Sequence, residues 1–151
     1  MIKLEDIIFD QENDYNCGVV CLQWIMYKKG FHFSQRELEK QCGTSAQGTS
    51  HKGLKKFLIA HSLPYLDSEN NIELNIEGLR EALKNGYQVM VGWTPWDEHY
   101  SIVEKIGKDT ITLNDPGSPS CISIYSLEEF KKVWFDSEKD ERVDNWSLVV
   151  L

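Results

Sequence analysis

With 151 residues, 41% of them hydrophobic, the chain has enough apolar material for one compact domain, residues 1–151, and too little for two ordinary ones. A formal charge of -8, from 24 acidic against 16 basic residues spread along the length, argues against a nucleic-acid or anionic-membrane partner. No apolar run approaches the length of a membrane span, the opening MIKLEDIIFD is too acidic for an export leader, and Cys17, Cys21, Cys42 and Cys121 read as free thiols, so a soluble cytoplasmic protein without membrane insertion is expected.

The opening loop QENDYN runs directly into CGVVCLQWI, where Cys17, Val20, Cys21, Trp24 and Ile25 recur at helical spacing up to Gly30, predicting a buried first helix. In SQRELEKQCG, Ser34 and Glu37 form a capping-box pair and Gly43 ends a second helix. A third, capped at Thr49 or Ser50 with Leu54, Phe57 and Leu58 on one face, precedes Pro64. A fourth runs from an Asn75 cap to Gly86. The period then changes: YQVMVGW, HYSIVEKI, TITLND, CISIY and WSLVVL are short β-branched and aromatic runs bounded by Gly, Pro, Asp and Ser, hence strands. One more helix, capped by Ser126 with Glu129, interrupts them, and the acidic run DSEKDE reads as a solvated loop. Helices first and a mostly antiparallel sheet afterwards define an α+β architecture in which the halves meet along one cleft.

A thiol at a helix N-terminus lies among unpaired N–H groups and at the positive end of the helix dipole, which favours the thiolate and makes Cys17 the candidate nucleophile. The same N–H groups could donate to an oxyanion on an attacked carbonyl, and Gln11 is the nearby side-chain amide able to add a second donor. A nucleophilic cysteine needs a base with an orienting partner. His32, His51 and His61 lie in or beside helices with lysine neighbours and read as solvated surface histidines, whereas His99 opens a strand directly after the TPWDE loop, where a side chain can project into a cleft.

Hairpin geometry bears on the partner. If Gly107 to Asp109 forms a three-residue turn, Asp115 falls on the face of His99 and Asn114 on the other; a two-residue turn would exchange them. Asp115 is the choice and Asn114 the fallback. Cys21, Cys42 and Cys121 suit the core, and no Cys-x-x-Cys or paired histidine spacing points to a metal. Trp93 and Trp96 suit either the wall of a peptide groove or core packing.

QENDYNCGVVCL resembles the nucleophile motif of the double-glycine (bacteriocin-processing) peptidases, papain-like cysteine peptidases often fused to peptide-exporting ABC transporters. GTSHKGLKKFLIAHSL is similar to the third helical segment of that family, GYQVMVGW to its central strand, HYSIVEKI to its histidine strand and TLNDPG to its Asp-Pro turn. The resemblance implies a papain-like fold in a stand-alone relative, a peptide or protein substrate and no cofactor. It leaves open any association with a separate transporter. It also implies roles: Gln11 for the oxyanion-hole amide, Cys17 for the nucleophile, His99 for the general base and acid, and Asp115 for the partner of the histidine. Glu98 departs from it, standing where a small residue is usual and placing a charge beside the imidazole. Acyl or amide transfer on the same scaffold, or a peptide-binding module without turnover, are the alternatives to hydrolysis.

Overall fold

The computed structural model describes residues 11–69, 74–118 and 121–151; the opening MIKLEDIIFD lies outside them. The helices are α1 (Cys17–Lys28), α2 (Gln35–Cys42), α3 (His51–Ala60), α4 (Ile76–Lys84) and α5 (Leu127–Val133). The strands are β1 (Tyr65–Asp67), β2 (Gln88–Trp93), β3 (His99–Ile106), β4 (Thr110–Asn114), β5 (Ile122–Ser126), β6 (Phe135–Glu138), β7 (Glu141–Asp144) and β8 (Ser147–Val150). Local signals place the helix ends: Ser34 and Glu37 form a reciprocal capping box on α2, and Ser50, Asn75 and Ser126 each accept an N–H bond at the start of α3, α4 and α5.

Six strands form one antiparallel sheet in the order β1-β8-β2-β3-β4-β5. Both faces are covered, and alternation along each strand divides the core. Met90, Tyr100, Ile102, Leu148 and Val150 pack with α1, α2 and α3 on one face. Val89, Val91, Trp93, Val103, Leu113 and Val149 pack with α4 and α5 on the other. Burial on both faces explains why VMV and LVV read as unbroken apolar runs. The fold is the expected mixture of helices and antiparallel sheet, and all four cysteines are free thiols.

Two expectations are corrected. DSEKDE is not a solvated loop: β6 and β7 pair as a hairpin, register Asp136 with Val143, around Lys139 and Asp140, whose φ values are 52 and 65. His51 is not a surface residue, being only 1% exposed. Its Nε2 lies 2.7 Å from Asp136 Oδ2 and its Nδ1 3.1 Å from Glu69 Oε1, while its ring stacks on Trp146 at 4.1 Å. Carboxylate oxygens accept, so a ring that serves both must donate from both nitrogens and is an imidazolium. Burial opposes that charge, but the Asp136 hydrogen bond and the charges of Asp136, Glu138 and Glu69 outweigh it and raise the His51 pKa. Burial also pushes the Asp136 carboxyl up against the pull of the same bond. The charged pair is the state the two-carboxylate geometry supports. Gly92 makes room for it, because a Cβ there would stand 2.2 Å from Asp136 Oδ2.

This clip ties α3, the end of β1 and the β6–β7 hairpin together across the sheet. His51→Leu strands a buried carboxylate and is expected to cost about 3 kcal/mol or more in urea unfolding at mildly acidic pH. Because the folded-state pKa is raised from 6.5, the wild-type advantage is complete below that value and shrinks as pH rises through the folded-state pKa. A gap between the two proteins that widens with pH would contradict the assignment.

Candidate active site

Cys17 is the first residue of α1, and it is partly exposed. The preceding Asn16 makes no side-chain cap to α1, and the first turn holds no acidic residue. The Asn16 amide is instead buried and donates to Glu39 Oε1 at 2.5 Å and to Gln35 Oε1 at 3.3 Å. Gln35 also accepts from the Glu12 N–H at 3.1 Å, and Glu39 from Asn13 Nδ2 at 3.2 Å. One face of α2 thus serves as the platform on which the amide-rich loop is laid, leaving the first turn of α1 without a competing cap.

Gly18 sets the depth at which this helix end sits. A Cβ there would come 2.9 Å from Tyr100 Cδ2, so only glycine lets α1 rest on β3 beside His99. Tyr100 is itself fixed by donating to the Thr49 carbonyl at 2.8 Å.

His99 opens β3 opposite Trp93, and its Nε2 is hydrogen-bonded to Asp115 Oδ1. The register that achieves this is not the simple one. The turn is tighter than three residues: Gly107 N–H donates to the Thr110 carbonyl at 2.8 Å and Ile106 pairs with Ile111. Continued unbroken, that ladder would turn Asp115 to the wrong face. An irregularity between Val103 and Lys105 adds one residue on β3, so that Val103 pairs with Leu113 and Ile102 with Asn114. The two shifts cancel. Asp115 meets His99, and Asn114 points away to donate to Glu104 Oε2 at 2.7 Å.

The third group of the cluster is Cys17, which lies close enough to the His99 ring to strengthen its hold on a proton. Since Nε2 is taken by Asp115, Nδ1 is the nitrogen left for sulfur. Burial lowers the affinity of His99 for its proton, but the Asp115 hydrogen bond, then the hydrogen bond and charge of Cys17, and then the charge of Asp115 lift its pKa to about 9. Burial pushes the Asp115 carboxyl up, and the His99 and Ser123 hydrogen bonds, the His99 charge and the Ser101 hydrogen bond bring it below the ordinary carboxylate value. Glu98 does not lead among the groups acting on His99; its carboxylate accepts from Ser137 Oγ on β6.

Gln11 lies beside the Asp115-Pro116-Gly117 turn. Gly117 has φ +87, and a Cβ on it would stand 2.7 Å from Gln11 Oε1. The Gln11 Nε2 donates one hydrogen to the Asn13 carbonyl at 2.9 Å. Trp93 is fully buried, whereas Trp96 is 77% exposed on the loop before His99. Burial pushes the Cys21 thiol well above its usual value, helped by the charges of Cys17 and Asp115, and pushes Cys42 up to about 12, which suits core roles for both. Among the described residues no cluster of His, Cys, Asp and Glu could hold a metal. Sequence reading missed Ser101, Ser123, Gln35 and Glu39. The two serines share the faces of His99 and Asp115 by strand alternation, and the α2 pair is spaced i, i+4, but their partners lie on other elements.

This fold is that of a papain-like cysteine peptidase. The chain belongs to the Peptidase C39 family, whose sequence model matches residues 6–137. Solved structures of low identity share the fold. The peptidase domain of Streptococcus ComA, described as a bifunctional ABC transporter involved in quorum sensing, superposes with a TM-score of 0.73 at 18% identity, covering 95% of this chain and 96% of that one. A C39-like peptidase from Bacillus anthracis gives 0.72 at 14% identity, over 96% and 94%. A double glycine motif protease from an AMS/PCAT transporter, solved with the leader peptide, gives 0.69 at 14%, over 95% and 90%. No curated protein sequence matches the chain. No helix among the described residues is long and apolar enough to cross a membrane.

Gly18→Val is expected to lift the start of α1 off Tyr100 and to slow alkylation of Cys17 by roughly tenfold or more, since nucleophile placement is that sensitive to small shifts. Circular dichroism should report an unchanged fold. An unaltered Cys17 rate would contradict the role given to Gly18.

Proposed function

We propose that residues 1–151 act as one cytoplasmic peptidase domain that cleaves peptide bonds through Cys17, His99 and Asp115, with Gln11 completing the oxyanion hole. The observation that carries this reading is the His99 ring bonded through Nε2 to the Asp115 carboxylate, with Cys17 among the groups that raise its affinity for a proton. The Cys17 sulfur attacks the scissile carbonyl carbon, and the displaced electron pair collects on the carbonyl oxygen. The Cys17 backbone N–H and the second N–H of Gln11 Nε2 donate to that oxygen. His99 gives its proton to the departing amine, leaving an acyl thioester. The neutral ring then takes a proton from water, whose oxygen displaces sulfur and releases the acid. A pKa of about 9 suits the first half of this cycle, because the ring enters it as a proton donor.

For substrate we propose a peptide cut after small residues, of the leader class. The support is that a relative of the same fold is named for the double glycine motif and was solved with a leader peptide. Four free thiols support the reducing cytoplasm as its compartment.

Iodoacetamide at neutral pH should label Cys17 well before Cys21, Cys42 and Cys121, followed by peptide mapping. Cys17→Ala and His99→Ala should abolish cleavage of a panel of Gly-Gly-containing peptides, and Gln11→Ala should lower kcat by about a hundredfold. Peptides that bind and are never cut would refute hydrolysis, and release of the acyl group only by added amines would make the protein a transferase.

A further inference from the structure

The Asp115 carboxylate has more donors than His99. Ser123 Oγ donates to Asp115 Oδ2 at 2.6 Å and Ser101 Oγ to Asp115 Oδ1 at 3.1 Å. Ser101 is fully buried and Asp115 is 1% exposed, so bulk water does not supply these bonds in their place. The direction of the Ser101 hydroxyl is itself fixed. The Trp93 indole, which can only donate, gives its N–H to Ser101 Oγ at 2.9 Å and so leaves the single serine hydrogen for the carboxylate. Behind Ser123 the chain closes on itself: Asp115 N–H donates to the Cys121 carbonyl, Cys121 N–H to that of Ser118, and Ser118 N–H to that of Asp115. This loop delivers β5 to the far oxygen of Asp115, with Ser123 opposite Leu113 on the inward face.

A buried carboxylate that faced only a histidine could settle its burial cost by taking the histidine proton, giving a neutral acid beside a neutral ring. Two hydroxyl donors favour the ionised carboxylate, and the ring stays the proton carrier. We infer that Ser123 and Ser101, the latter oriented by Trp93, are positioning residues for this reaction, keeping Asp115 ionised and aimed at His99 Nε2. The inference rests on the proposed use of Cys17 and His99. The other ionisable groups acting here are Cys17 and Cys21 on α1 and Tyr125 on β5, whose hydroxyl feels the Asp115 charge. None of these donates to the carboxylate oxygens in place of the serines.

Iodoacetate tests this without a known substrate. Its own negative charge draws it to a thiolate beside an imidazolium, so the alkylation rate of Cys17 should fall as His99 loses its proton near pH 9. In Ser123→Ala the proton passes from the ring to the carboxylate, so the alkylation rate on the plateau below that fall should drop by about tenfold. Ser123→Thr should restore it, and Ser101→Ala should lower it the same way. Ser123 lies on an edge strand, so its alanine variant is the one most certain to fold, and urea unfolding checks all three. A wild-type fall near pH 9 with both alanine variants superimposed on it overturns the inference and leaves the proposed nucleophile standing. A wild type that shows neither preferential Cys17 labelling nor the fall overturns both.

Discussion

The contact between His99 and Asp115 exists because a bulge in β3 offsets the register that the two-residue turn alone would impose. The tight turn at Gly107 to Thr110 alone would send Asp115 to the face covered by α1, and the extra residue between Val103 and Lys105 returns it to the face of His99. Strand geometry allows only two outcomes, since a slip of one residue exchanges every side chain between faces. In one, a carboxylate meets the imidazole; in the other, Asn114 would, with an amide that cannot stabilise an imidazolium as an anion does. The bulge therefore decides the electrostatics of the cluster as well as its shape.

The sulfur arrives from the other layer of the molecule, and its placement depends on what is withheld. Asn16 donates its amide hydrogens to Glu39 and Gln35 with its side chain off the helix end, and Gly18 omits the Cβ that Tyr100 would exclude. The chain also shows how environment separates two similar histidines. His51 has carboxylates on both nitrogens and is 1% exposed, so it has no nitrogen to offer and serves as a structural cation. His99 has one carboxylate and 16% side-chain exposure, which leaves its second nitrogen without a carboxylate partner.

What could be read from the sequence was local or strictly periodic. Ser34 with Glu37, Asn75 and Ser126 announce their helices because a cap and its N–H partner lie within three residues. Both-face burial made VMV in β2 and LVV in β8 unbroken apolar runs, hence visible. The β6–β7 hairpin was hidden because its turn is Lys139-Asp140 rather than the Asn-Gly or Asp-Gly that usually marks such a turn, and its strands are largely charged. The burial of His51 was hidden because Asp136 lies 85 positions away. At the site, Cys17, His99 and Asp115 could be nominated by type and position, while the serines that hold Asp115 emerge only once β3, β4 and β5 are in register.

The most direct measurement is nitrogen NMR of the His99 ring in the wild-type protein, followed from neutral pH upward. A ring poised between Asp115 and the Cys17 sulfur carries hydrogens on both nitrogens at neutral pH, with the Nε2 hydrogen bonded to the carboxylate, and loses one at about pH 9. A His99 ring already neutral at neutral pH would contradict the proton placement from which the chemistry of this site is derived.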